Sequence, residues 1–228
     1  MRPLWMALVA LPVAACAHPS APPAAAPHTS SPAAHGTAVN PANIKRVSRD
    51  LPPGYEVTRG IPSGLSPRAV WNLDADASVT GDKPAQCATL ADPGGGRDQS
   101  AQGVSGSGAG GIVDAVVVAL LSGRVALDHN AVAGCGQWTM SDRHTTANVS
   151  LIEAPHIDDA DTVGMTAEVR TTVESGAQID SRTVTFIAYL GGYYAFTTVT
   201  TDPGSMLPPL PPQFAADLLV KTVATLRS

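Results

Sequence analysis

The sequence predicts an α+β domain: a mainly antiparallel sheet with a C-terminal helix packed on one face and short N-terminal helices. Three observations predict it. Val163, Met165, Ala167, Val169, Thr171 and Val173 alternate with Gly164, Thr166, Glu168, Arg170, Thr172 and Glu174, the two-residue period of a strand with one dry and one wet face. Two apolar runs, Arg182 to Leu190 and Tyr193 to Thr201, flank Gly191-Gly192, a pair suited to the positive φ angles of a two-residue type I′ turn. Near the end, Ala215, Leu218, Leu219, Thr222, Val223 and Leu226 form one helical stripe, with Asp217, Lys221 and Arg227 pointing away. Strands that follow one another without a βαβ rhythm make the sheet antiparallel.

In chain order, Asn40-Pro41 has the form of a helix N-cap and first position, with Ile44, Val47 and Leu51 at helical spacing before Pro52-Pro53. A second short helix is expected from Lys83 to Leu90, stopped by Asp92-Pro93-Gly94. The Gly- and Ser-rich stretch from Gly94 to Gly111 reads as a flexible loop or lid. Ile112 to Leu121, with Val116, Val117 and Val118 in succession, reads as a buried central strand. Ala147, Val149 and Leu151 alternate with Asn148 and Ser150 as a further strand.

The hairpin register follows from the turn. If Leu190 faces Tyr193, then Val184, Phe186, Ala188 and Leu190 share a face with Tyr193, Ala195 and Val199, and Ile187, Tyr189, Tyr194 and Phe196 share the other. Both faces are apolar. The pair is therefore either central and covered twice, or has one face reserved for a partner. Asp202-Pro203-Gly204 and the Pro-rich run 208–212 separate it from the final helix.

Composition narrows the function classes. The chain has 228 residues, 44% of them hydrophobic, 14% charged and 4% aromatic, with 14 basic against 19 acidic side chains. That is too apolar for disorder throughout, too poor in charge for a coiled coil, and too acidic for a surface that tracks nucleic-acid phosphates.

Residues 1–15 have the form of an export signal, basic at Arg2 and apolar from Leu4 to Ala15, a run too short to span a bilayer core. Val13-Ala14-Ala15-Cys16 resembles the lipobox of bacterial lipoprotein precursors, which implies Cys16 as the lipidated first mature residue; an ordinary signal peptide with a chance Cys is the competing reading. Residues 16–42 continue as a Pro-, Ala- and Ser-rich linker without Asp, Glu, Lys or Arg, and residues 43–228 form a single globular domain. The expected location is the outer side of the cell membrane, held by lipid at Cys16.

Three cysteines in an exported chain, one taken by lipid, leave Cys87 and Cys135, and an oxidising compartment makes them a disulfide. A catalytic or metal-binding pair is the alternative, but there is no CxxC and two thiols are an incomplete zinc set. Gly106 to Gly111 matches GxGxxG in form only, because it precedes a strand instead of opening a helix. His129, His144 and His156, with Asp158, Asp159 and Asp161 nearby, allow a hydrolase on paper, but the sequence has no GxSxG, GxxxxGK or HExxH. The acidic turn lacks the Gly and distal Glu of a calcium loop. No catalytic residue, metal or cofactor is assigned.

Several segments together resemble a family. Leu51-Pro52-Pro53-Gly54-Tyr55-Glu56-Val57, Cys87-Ala88-Thr89-Leu90-Ala91-Asp92-Pro93, Cys135-Gly136-Gln137-Trp138, Ala188-Tyr189-Leu190 with Tyr194-Ala195-Phe196, Thr201-Asp202-Pro203-Gly204 and Leu218 to Val223 are similar to an uncharacterised family of mycobacterial sensor-domain-like lipoproteins. More distantly the chain resembles the extracytoplasmic sensor domain of a mycobacterial receptor kinase, which carries more cysteines. The resemblance implies an α+β, disulfide-bonded fold and no transferable activity.

The leading expectation is a non-enzymatic, lipid-anchored binding or sensing domain. Its possible binding face holds Ile187, Tyr189, Tyr194 and Phe196, with Trp138 nearby, and would meet an envelope protein or a small apolar ligand. The competing reading of that face is plain core. The alternatives in function are an envelope hydrolase and a structural partner in an envelope complex.

Overall fold

In a computed structural model, residues 38–81, 83–121, 123–201 and 204–228 are described. The expected export signal, Cys16, the expected linker up to residue 37 and Asp202-Pro203 lie outside the described residues.

A 3₁₀ helix, Pro41–Asp50, opens the fold, its N-cap made by the Asn40 side chain accepting from the Ala42 N–H. Then follow β1 (Glu56–Thr58), α1 (Pro67–Val70), β2 (Ser78–Thr80), a 3₁₀ turn (Ala85–Cys87) running into α2 (Ala88–Ala91), β3 (Gln99–Gly108) and β4 (Gly111–Leu120). The chain continues through α3 (His129–Gly134), β5 (Gln137–Ser141), β6 (Thr145–Ile152), β7 (Asp161–Thr172), β8 (Gln178–Tyr189), β9 (Tyr193–Thr200) and α4 (Pro212–Leu226). The nine strands form one sheet in the order β1-β3-β4-β9-β8-β7-β6-β5-β2. Every pairing is antiparallel.

This architecture overturns the expected α+β class with a C-terminal helix as its packed layer. The fold is one large antiparallel sheet, and five of the six helical segments among the described residues span 10 residues or fewer. Sequence periodicity undercounted the strands because β3 is hidden in the Gly- and Ser-rich stretch, and β1 and β2 are three residues each. α4, at 15 residues, crosses only part of a nine-stranded surface, over β4, β8 and β9.

Both sheet faces carry core. On one, Ile44 and Val47 of the 3₁₀ helix and Ala215, Leu218, Leu219 and Val223 of α4 bury against Val113, Ala115, Val184, Phe186 and Val199. On the other, Trp71, Leu73, Leu90, Val125 and Ala131 from the connecting segments bury against Val116, Trp138, Met165, Ile187 and Phe196. We call these the helix face and the loop face. Cys87 and Cys135 are joined by a fully buried disulfide on the loop face, tying the 3₁₀ turn before α2 to the end of α3.

The hairpin register pairs Ala188 with Ala195 and Tyr189 with Tyr194. Its turn differs from the expected type. Gly191 has φ 77°, but Gly192 is not in the positive-φ region. That is the pattern of type II′, in which only the first central residue needs the left-handed region.

Gly106 and Gly108 of β3 have a packing reason. Tyr55 lies across the helix-face side of the strand, and a Cβ on Gly106 would come within 2.9 Å of Leu51 and 3.3 Å of the Tyr55 ring. The Tyr55 hydroxyl in turn accepts from the Gly110 N–H at 3.1 Å. The expected mobile lid is therefore a paired strand with an aromatic ring laid over its missing side chains.

Candidate functional site

Alternation places Ile112, Asp114, Val116 and Val118 of β4 on the loop face, so one carboxylate interrupts an otherwise apolar row. Asp114 is 7% exposed. Its strand neighbours are Ser105 on β3 and Thr198 on β9, each directly opposite in register. Thr198 Oγ1 donates to Asp114 Oδ2 at 2.8 Å.

The polar row continues sideways. Thr58 pairs with Ser105, and Thr185 pairs with Thr198. Thr185 accepts from the buried Trp71 indole N–H at 3.2 Å, and Thr183 and Thr200 share a hydroxyl contact of 2.9 Å one step along the strands. Hydroxyls suit this position because each can donate to a carboxylate and still accept from another group.

The segment after β1 roofs the row. Gly60, Ile61, Pro62, Leu65 and Val70, with Thr58, Ser105, Ile112, Asp114 and Thr200, line an open pocket of about 340 Å³. The roof is pinned where Ala101 donates its N–H to the Ser63 carbonyl at 2.7 Å and Gln99 Nε2 donates to the Gly64 carbonyl at 3.2 Å.

Burial pushes the Asp114 carboxyl above its ordinary value, and the hydrogen bonds from Ser105 and Thr198 offset this only in part. Asp114 has no Lys, Arg or His within ion-pair distance among the described residues. Among the described residues it is the one ionisable side chain in the pocket lining. A buried carboxylate without a counter-charge costs stability, so such groups mark candidate functional sites.

The aromatic face expected to bind is closed. Ile187, Tyr194 and Phe196 are fully buried, and Tyr189 and Trp138 nearly so, beneath the loop-face segments that carry Trp71 and Leu90. The physical reason is double coverage: β8 and β9 lie inside the sheet, with the connecting segments on one side and α4 on the other. The Tyr194 hydroxyl donates to Gln99 Oε1 at 3.3 Å, and burial holds both Tyr189 and Tyr194 well above the usual phenol range. Among the described residues the Trp138 indole N–H has no hydrogen-bond partner.

The histidines do not converge. His129 Nε2 stands 3.9 Å from Asp161, His156 stands 3.3 Å from Asp158, and all four side chains are largely exposed. Among the described residues, the surface pocket lined by His156, Asp159 and Asp161 contains no Ser, Thr or Cys. His144 is exposed on the turn between β5 and β6. Among the described residues no group of three or more His, Cys, Asp or Glu is placed to hold a metal ion. No helix there is long and apolar enough to cross a membrane.

Asp114 was missed by motif reasoning, which searches for clusters. Its signal is the reverse: a single carboxylate inside Ile112-Val113-Asp114-Ala115-Val116-Val117-Val118, where burial of the strand predicts burial of the charge.

A family model described as a domain of unknown function, DUF5642, matches residues 40–227. No curated protein matches the chain. A solved structure, that of an uncharacterised Mycobacterium smegmatis protein described as an Rv0999 orthologue, is similar with a TM-score of 0.61 and 21% identity. The match covers 83% of this chain and 98% of that one. At that identity the likeness concerns the fold alone.

Proposed function

The chain belongs to the DUF5642 family of domains of unknown function, and we propose that it is a non-enzymatic ligand-binding or sensing domain, moored by lipid at Cys16 on the outer side of the cell membrane. The observation that carries the binding role is the uncompensated Asp114 carboxylate in the wall of a small apolar pocket. Ligand sites combine an apolar lining with a few convergent polar groups, and at about 340 Å³ this pocket falls within their usual range. The mooring rests on Val13-Ala14-Ala15-Cys16 and the charge-free linker behind it. The buried Cys87–Cys135 bridge fits an oxidising compartment.

Two experiments test the two halves. Cys16→Ala should move the exported protein out of the detergent phase; unchanged partitioning refutes the anchor. A screen of small organic probes by amide NMR should shift Ser105, Ile112 and Thr200 together. If no probe perturbs them, the pocket is not a binding site.

A further inference from the structure

We propose that the Asp114 pocket takes a small apolar molecule carrying an ammonium group, the carboxylate acting as its counter-ion. The inference rests on the binding reading above and adds the ligand class. Asp114 is nine-tenths buried, sits at the pocket wall and is engaged by hydroxyl donors only. A carboxylate offers about four lone-pair sites, so two hydroxyl donors leave acceptor capacity for a further N–H. An ammonium supplies three donors and the missing positive charge. Its remaining N–H groups meet hydroxyl oxygens of Thr58, Ser105 or Thr200, which line the same pocket. The apolar body then lies against Ile61, Pro62, Leu65 and Val70 of the roof, with half-exposed Ile112 at the rim.

A neutral alcohol would gain the apolar contacts but leave the charge unpaired. A carboxylate ligand would add like-charge repulsion. The surrounding charged groups do not substitute for the ligand. Arg68 on α1 is paired with Asp92 at 3.3 Å, Arg59 donates to Ser48 at 3.3 Å, and Glu56 on β1 is exposed. The facing positions on β3, β9 and the roof are Ser105, Thr200, Ile61, Pro62, Leu65 and Val70, none of which titrates in the working range. Binding therefore strengthens as pH rises through the Asp114 titration and weakens again only where the amine deprotonates.

The test is calorimetric titration of the full chain with hexylammonium, 1-hexanol and hexanoate, with amide NMR to locate each probe. Hexylammonium should bind at Ser105, Ile112 and Thr200 roughly tenfold or more tighter than hexanol, the range expected for a hydrogen bond to a charged group. Hexanoate should not bind. Asp114→Asn, which keeps the side-chain shape, should remove the preference for hexylammonium without weakening hexanol. Ile112→Trp at the exposed rim should block both probes. Equal affinity of hexanol and hexylammonium at the pocket overturns the ammonium class and leaves the binding reading standing. Failure of every probe to shift pocket residues overturns both.

Discussion

Gly108 should be intolerant of even one added methyl group, and the intolerance should vanish when Tyr55 is removed. A Cβ at Gly108 would stand 2.5 Å from Tyr55 Cε2 and 2.9 Å from its Cγ. The ring cannot slide away freely, because its hydroxyl is held by the Gly110 N–H at 3.1 Å. Overpacking of this kind costs about 1–3 kcal/mol, so Gly108→Ala should destabilise by about 2 kcal/mol. Tyr55→Ala removes a half-buried ring and should cost roughly 2 kcal/mol, below the range for a fully buried aromatic. In the Tyr55→Ala background the added methyl meets open space in an extended strand, where Ala exceeds Gly by about 0.5–1 kcal/mol. The double variant should therefore be no less stable than Tyr55→Ala alone, a coupling of about 2 kcal/mol or slightly more. Urea unfolding of the four proteins measures it. Additive losses would refute the packing account of the glycine-rich strand.

Other perturbations have definite signs. Replacing Cys87 and Cys135 by Ser opens a link across 48 residues, and the chain-entropy estimate puts the loss at about 4 kcal/mol; a shift in unfolding free energy below about 1 kcal/mol would contradict that accounting. Asp142 accepts from the backbone N–H groups of Asp74, His144 and Thr145. Burial acts to raise its pKa, but these three donors outweigh it and hold the carboxyl below its ordinary value. Its contribution is therefore present above the unfolded pKa and lost as pH falls through the folded one. Asp142→Ala should cost about 1 kcal/mol at neutral pH, as for a capping side chain, and the difference from wild type should shrink on acidification. Asp114 has the opposite sign: its folded pKa is raised, so protonation favours the fold and that contribution is lost as pH rises through the folded pKa. Asp114→Asn should melt higher than wild type at neutral pH, the gap closing toward acid; a variant less stable at neutral pH would contradict an uncompensated buried charge.

Where the sequence kept a clean two-residue period, the strands were legible in it. β7 presents Val163, Met165, Ala167 and Val169 to the loop face as alternation requires, and the Gly191-Gly192 pair set the β8–β9 register. β3 was not legible because its glycines erase the hydropathy signal. Gly106 and Gly108 admit Tyr55, a residue some fifty positions away, and Gly103 admits Ile61, so no local pattern carries that information. The class assignment failed for the same reason: strands without side-chain contrast were read as loop, and the helices were given more of the architecture than they hold. For the site, the aromatic face looked available because sequence shows that both hairpin faces are apolar but not what lies over them. Trp71, at the end of α1, and Leu90 of α2, which cover it, come from helices of four residues each, too short for a period that shows which face they bury. The Asp114 pocket depends on register across β1, β3, β4 and β9, so only its isolated charge was visible beforehand.

The most direct test of the Asp114 site is a carbon-detected NMR titration of that carboxyl in the free protein and with hexylammonium bound. The free protein should titrate above the ordinary aspartate range, and bound cation should draw the midpoint downward by favouring the charged form. An ordinary midpoint that the amine leaves unchanged would contradict the claim that this carboxylate waits for a positive ligand.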